Sequence, residues 1–268
     1  MNLEQIFERL WNDYTAKNPS AYSIYNLFSD HGEKVQNDHI AFRTFDDARM
    51  DIKVLAEPFL ERGYKLVGQY KFSQKNLSAK HFELPGNEKS PRVFISELIL
   101  ENFSSAMQDT IRTTIDRVDP EVWKSKDLIF AGNPFGIPSF KTYELLREES
   151  EYAAWLYVHG FRANHFTVSV NSLTGFGTIE EVNEFLKENG FLLNSSGGEV
   201  KGSKEQLLKQ SSTLAEIIPI KFSEGVREIP ACYYEFAERF MDVGGKIFSG
   251  FIAGSADKIF ESTDFYKK

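Results

Sequence analysis

Two stretches decide how this chain is read: Asn37-Asp38-His39-Ile40-Ala41-Phe42-Arg43-Thr44-Phe45 and Asn164-His165-Phe166-Thr167-Val168-Ser169-Val170-Asn171. Each has the period-two alternation of a strand with one buried face, and each opens on a histidine that follows a polar residue. The segments after the two strands match as well. A helical pattern closes in Gly63-Tyr64 after the first and in Gly190-Phe191 after the second, at 63 − 39 = 24 and 190 − 165 = 25 positions from the histidine. A later strand then carries a glutamate, Glu97 in Val93-Phe94-Ile95-Ser96-Glu97-Leu98 and Glu235 in Cys232-Tyr233-Tyr234-Glu235-Phe236-Ala237. These last offsets differ, 97 − 39 = 58 against 235 − 165 = 70, so the second copy is expected to carry an insertion that starts in the polar stretch from Ser195 to Ser203. The chain therefore reads as an α+β protein built from a duplicated unit, with one site between the copies.

Working outward, residues 1–35 read as two helices, about 3–16 and 20–30, that pack on the core, the second introduced by Asn18-Pro19-Ser20 as a cap. Residues 36–100 form the first unit: the histidine strand, a helix over Ala48–Arg62, and strands near 65–72, 79–84 and 92–100. Residues 101–160 form a helical connection with helices near 103–117 and 140–158. Residues 161–268 form the second unit, with a helix over Ile179–Asn189, a short helix at Lys204–Ser211, and strands near 215–222, 231–240 and 246–253.

Composition sets limits on function. The 268 residues are 41% hydrophobic and 26% charged, which suits one or two packed cores and argues against disorder. A net charge of −8 with no basic cluster excludes nucleic acid as a partner, because phosphate binding depends on grouped Lys and Arg. No apolar run is long enough to cross a bilayer, so no membrane partner is expected. The opening Met1-Asn2-Leu3-Glu4-Gln5 lacks the basic and apolar regions of a signal peptide, which predicts a cytoplasmic protein. Cys232 stands alone in an aromatic strand and reads as a buried, inert thiol.

Alternation puts His39, Ala41, Arg43 and Phe45 on one face of the first strand, and His165, Thr167, Ser169 and Asn171 together on the second. Tyr233, Glu235, Ala237 and Arg239 share a face of the late strand. Two imidazoles and a carboxylate on rigid strands are the donor set of non-haem iron, which leaves coordination positions open for a chelating substrate and dioxygen. His39, His165 and Glu235 are the candidates. The spacing leaves a second set open, in which Glu97 joins as a fourth ligand for a divalent Lewis acid. Arg43 lies four residues beyond His39, a span of roughly 13 Å, which suits a guanidinium gripping the far end of a small acid. Gln210 and Ser211 are candidate contacts to a substrate oxygen, with capping of the short helix as the alternative. His81 reads as an acid–base group or a hydrogen-bonded structural residue, His159 as a helix C-terminal residue favoured by the dipole, and His31 as a surface turn residue.

The set Asp38-His39-Ile40-Ala41-Phe42-Arg43, Arg92 to Leu98, His159 to Thr167, Gln210-Ser211-Ser212-Thr213 and Tyr234-Glu235-Phe236 resembles the DUF1338 family, the 2-oxoadipate dioxygenase/decarboxylases, over nearly the whole chain. The resemblance implies a vicinal-oxygen-chelate-like fold: paired βαβββ modules, ligands on their first and last strands, and a partly closed mixed sheet around a metal site. It also implies Fe(II) on His39, His165 and Glu235, and a substrate carboxylate held by Arg43. The implied reaction converts 2-oxoadipate, or a similar 2-oxo dicarboxylic acid, and dioxygen into 2-hydroxyglutarate and carbon dioxide, in lysine breakdown. Two other readings stand beside it: a metal-dependent lyase or isomerase that uses Glu97, and a non-catalytic module that binds small acids. The chain departs from longer bacterial relatives by ending soon after Ile259, which leaves the C-terminal substrate contacts unplaced. Gly250-Phe251-Ile252-Ala253 is read as strand packing or as a backbone contact to substrate.

Overall fold

The computed structural model describes residues 1–252. Helix α1 (Leu3–Lys17) opens with a capping box in which Asn2 and Gln5 exchange hydrogen bonds, and α2 (Pro19–Asp30) starts with proline at its first position. Asn18 does not cap α2 with its side chain. It donates instead to the Tyr14 hydroxyl, which in turn donates to the backbone of Tyr233.

The first unit comprises β1 (Asn37–Phe45), α3 (Ile52–Leu60), β2 (Lys65–Phe72), β3 (Leu77–Glu83) and β4 (Arg92–Leu98). Helix α3 is shorter than expected because Asp51 caps it, accepting from the Val54 amide. The connection holds α4 (Ser105–Asp116), α5 (Pro120–Trp123), α6 (Phe140–Glu149) and α7 (Glu151–His159). The single helix expected over 140–158 is divided at Ser150, whose extended backbone ends α6 and whose hydroxyl caps α7. Every residue of α7 from Tyr152 to His159 is buried. Gly160 ends it at φ +64°, where a Cβ would meet the Gly132 carbonyl at 2.1 Å, so only glycine passes the chain into the next strand.

The second unit comprises β5 (Ala163–Ser169), α8 (Ile179–Glu188), β6 (Lys201–Ser203), β7 (Leu208–Ser212), an added hairpin of β8 (Ile217–Phe222) and β9 (Gly225–Pro230), and β10 (Glu235–Arg239). Three expectations are corrected here. The short helix at 204–211 is the turn and second strand of the β6–β7 hairpin, because the backbone of Leu208–Ser212 is taken up by β10. The insertion is mainly the hairpin at 217–230, since β8 and β9 form a two-stranded sheet of their own, although the α8–β6 link at 189–200 is also longer than the α3–β2 link at 61–64. Among the described residues no strand spans 246–252, where Met241 and Ile247 form a single bridge; Ala253 lies outside the described residues.

One eight-stranded mixed sheet runs β2-β3-β4-β1-β5-β10-β7-β6. Each half has its first strand parallel to its last, β1 with β4 and β5 with β10, and the halves join antiparallel through β1 and β5. The joining register pairs His39 with Thr167 and Ala41 with His165, which is the pattern of a local two-fold relating His39 to His165. Apolar outward residues meet the helices: Phe42 packs on Phe59 of α3, and Phe166 on Trp11 and Tyr14 of α1. The inward face carries His39 and Arg43 from the first unit and His165, Thr167, Gln210 and Glu235 from the second, beside apolar residues such as Phe94.

Candidate metal centre

Strand order fixes the centre. β1, β5 and β10 are consecutive, Glu235 stands beside Thr167 in parallel register, and the alternation of each strand turns His39, His165 and Glu235 to the same side. His39 Nε2 lies 3.4 Å from His165 Nε2 and 3.4 Å from Glu235 Oε1, and His165 Nε2 lies 3.3 Å from Glu235 Oε2. All three side chains are buried. Two donors at about 2.1 Å from a metal and at right angles are roughly 3 Å apart, so these atoms need close only slightly to bind one ion. Two neutral nitrogens and a carboxylate grouped on one side are the facial donor set.

Each imidazole is turned by the residue just before it. Asp38 Oδ1 sits 2.8 Å from His39 Nδ1, and Asn164 Oδ1 sits 3.1 Å from His165 Nδ1, so both rings keep their proton on Nδ1 and offer an Nε2 lone pair inward. Burial would raise the Asp38 carboxyl, but the charge of Arg239 and the bonds from His39 and Arg239 outweigh it and hold Asp38 well below the carboxylate range. Arg239 binds it bidentately at 2.6 and 2.9 Å, and Arg92 adds a contact at 3.2 Å. Burial lowers both histidines; His39 is partly restored by Asp38, whereas His165 falls further beside His39 and Arg43. Burial pushes Glu235 up to about 8, against the bond it accepts from Gln210 Nε2 at 2.5 Å. A divalent cation would take the place of that carboxyl proton.

The remaining candidates divide by face. Arg43 is buried with its guanidinium 5.0 Å from the rings of both Tyr152 and Trp155 on α7, near enough to depress His165. Gln210 faces inward and supports Glu235, while its neighbour Ser211 faces outward and donates to Asn183 of α8 at 2.6 Å. Glu97 also faces outward: it accepts from the Ile52 amide at 3.1 Å and from the Ser78 hydroxyl at 2.7 Å, and so cannot be a fourth ligand. His81 bonds the Tyr70 hydroxyl at 2.8 Å and Glu83 at 2.9 Å, a structural arrangement. His159 is not a dipole partner, because burial pushes it down to about 3 and it donates, uncharged, to the Pro230 carbonyl. Asn171 leaves the strand and brackets the backbone of Arg239. Cys232 is buried, with its thiol pushed up to about 12.

The sequence put Thr167 on the face of His165 and Tyr233 on the face of Glu235 without giving either a contact, and left Phe251 between strand packing and a substrate contact. Thr167 Oγ1 lies 3.1 Å from His39 Nε2, the Tyr233 ring stacks on His165 at 4.8 Å, and Phe251 stands edge-on to His39 at 4.8 Å. Arg239 donates to the Phe248 and Gly250 carbonyls at 3.0 and 2.7 Å, and the Phe251 amide donates to the Tyr70 hydroxyl, which seats Phe251 over the site. For Asp38 and Asn164 a signal was present, an oxygen-bearing residue directly before each histidine.

The sequence pattern of the family described as "HGLS: 2-oxoadipate dioxygenase/decarboxylase" matches residues 5–127 and 129–246. The chain belongs to the 2-oxoadipate dioxygenase/decarboxylase family. Within it, the rice (Oryza sativa subsp. japonica) chloroplastic/amyloplastic 2-oxoadipate dioxygenase/decarboxylase is 38% identical over 93% of this chain and 75% of that protein. The crystal structure of hydroxyglutarate synthase from Oryza sativa in complex with 2-oxoadipate is 35% identical, with TM-score 0.90 over 97% of this chain and 91% of the other. A Shewanella frigidimarina protein that carries a provisional hydrolase name is 48% identical, with TM-score 0.89 over 94% and 98% of the two chains. Like these family members the chain is an enzyme, and its buried His-His-Glu group is suited to a metal.

Proposed function

We propose that this enzyme is an Fe(II)-dependent dioxygenase/decarboxylase that converts 2-oxoadipate, or a closely similar 2-oxo dicarboxylic acid, with dioxygen into 2-hydroxyglutarate and carbon dioxide. The atoms balance: a six-carbon acid gains two oxygens and divides into a five-carbon hydroxy acid and CO2. The observation that carries the reading is the His39–His165–Glu235 group with Arg43 on the same strand and face as His39. Its substrate comes from the 2-oxoadipate bound in the rice structure and from the rice relative's name.

In this reading His39, His165 and Glu235 hold the iron, which supplies redox chemistry with dioxygen that no side chain provides. Asp38 and Asn164 keep the imidazole lone pairs aimed inward. Arg43 pairs with the distal carboxylate and so favours a dicarboxylate over a monocarboxylate. The rings of Tyr152 and Trp155 flank its guanidinium. Gln210 orients Glu235, while Tyr233 and Phe251 cover the imidazoles and keep bulk water from the reacting end. Ser211, on the outer face, has no part in substrate contact here. The lyase reading loses the ligand it required, because Glu97 is committed to α3.

The test is oxygen uptake by metal-stripped protein reloaded anaerobically with Fe(II) and mixed with aerated 2-oxoadipate. Uptake equal to CO2 release, and absent in His165→Ala, is expected. Acid turnover without oxygen consumption would instead favour a metal-dependent lyase or isomerase working with the same three ligands. No described helix is long and apolar enough to cross a membrane, whereas the rice relative is named for plastids. We place this enzyme in the cytoplasm, and cell fractionation tests that placement.

A further inference from the structure

The local two-fold that relates His39 to His165 also assigns a counterpart to Glu235. Glu235 stands beside Thr167 in the parallel β5–β10 register, and Phe94 stands beside Ala41 in the parallel β1–β4 register. Thr167 and Ala41 are themselves equivalents, each two residues past its histidine. The equivalence also holds one position outward, where Gln210 faces Ala237 and Ala79 faces Ser96. Three polar residues around the centre in the second unit, Thr167, Gln210 and Glu235, therefore have Ala41, Ala79 and Phe94 as their counterparts in the first.

We infer that Phe94 is the residue that keeps this centre at three protein ligands, by filling the position from which a side chain of the first unit would reach the same ion. This rests on the reading that His39, His165 and Glu235 hold a divalent metal. The two Nε2 atoms are 3.4 Å apart across the two-fold, and Glu235 touches both of them. A carboxylate on the equivalent Cβ would approach the same pair from the other side. Phe94 instead turns an aromatic ring inward that packs on Phe251 at 4.8 Å, Tyr70 at 5.9 Å and Phe72 at 6.4 Å, and Phe251 in turn meets His39. The support a carboxylate would need is missing too, since Ala79 stands where Gln210 donates to Glu235. The ring leaves coordination positions on that side for exogenous ligands and lines them with apolar surface.

The experiment compares wild type, Phe94→Leu, Phe94→His, and Phe94→Glu combined with Ala79→Gln, measuring Zn(II) affinity by chelator competition and the visible spectrum of the Co(II)-loaded proteins. Expected is Zn(II) binding roughly tenfold or more tighter in the His and Glu variants, with a changed Co(II) spectrum, and wild-type affinity in Phe94→Leu. Folded His and Glu variants that bind Zn(II) no tighter than wild type would overturn the inference while leaving the three-ligand metal reading intact. A wild type that binds no metal would overturn both. If the polar variants do not fold, wild type labelled with 4-fluorophenylalanine decides, with the residue-94 resonance assigned by its absence in Phe94→Leu. Broadening of that resonance by Mn(II) supports the placement, and a resonance untouched by Mn(II) overturns it.

Discussion

On the outer face of the sheet, Glu97 of the first unit accepts from the Ile52 amide at 3.1 Å, and Glu238 of the second accepts from the Ile179 amide at 3.1 Å. Each carboxylate anchors the first turn of its unit's helix, where unpaired amides and the dipole favour an anion. On the inner face the same two strands part company, with Phe94 in one and Glu235 in the other. The two glutamates that match in role are thus Glu97 and Glu238, each three residues beyond the inner-face pair. The contrast teaches where duplication is preserved by packing and where chemistry has divided the halves. Helix-bearing surfaces need the same anchor in both units, whereas the proposed single ion calls for one carboxylate, and the proposed substrate for a cation on only one side, at Arg43, whose counterpart is Ser169.

The sharpest way to break the comparison is to remove the inner-face carboxylate or an imidazole. Glu235→Ala or His165→Ala should abolish oxygen uptake, a loss on the order of a thousandfold or more, and leave metal content after dialysis near zero. Metal analysis by mass spectrometry checks this, and stoichiometric metal in either variant would reject the trio. Next in size, Arg43→Met should lower kcat/KM for 2-oxoadipate by roughly 10- to 150-fold, the worth of a charged hydrogen-bonded contact, and leave a 2-oxo monocarboxylate little changed. Equal losses on both acids would mean that Arg43 acts through structure. Asp38→Asn makes the two imidazole supports alike. It should weaken metal binding by about 10- to 100-fold, read by chelator competition, with some loss of stability from the stranded Arg239.

A pH series on metal-free protein sharpens the comparison further. With Glu235 at about 8 when folded and near the ordinary carboxyl value when unfolded, the folded chain holds the extra proton between those limits. The Glu235 contribution to stability should therefore fall as pH rises from about 5 through 8, opposed below about 6.5 by His39, His165 and His159, which burial keeps neutral in the folded chain; the difference between wild type and Glu235→Gln isolates it, and bound metal reverses it. Melting temperature in matched buffers reads it, and a Glu235→Gln profile as steep as wild type would point to other groups. The smallest effect belongs to the outer face. Glu97→Gln and Glu238→Gln should each cost about 1 kcal/mol of stability and leave metal affinity as it was.

Much of this was legible in the chain. Strands with a period-two pattern, helices of about 3.6 residues per turn, and a histidine in the same place in each copy arise from local stereochemistry, so the units, the α+β class and the two histidines could be read from the chain alone, while the part played by Glu97 stayed open. What failed was whatever depended on strand partners. Residues 204–211 have no local preference strong enough to prevent β10 from capturing them, and the hairpin at 217–230 hid the true offset, which led Glu97 to be matched with Glu235. Facing also failed where adjacent residues share chemistry: Gln210 and Ser211 are both polar, and only the ladder turns one to the centre and the other to α8. The sequence by itself determined which residue types the site has and that there are two units to supply them. Only the tertiary structure decided which glutamate joins the two histidines, which anchors a helix, and that Phe94 faces Glu235 across the two-fold, because strand register is set by hydrogen bonds between segments far apart in the chain.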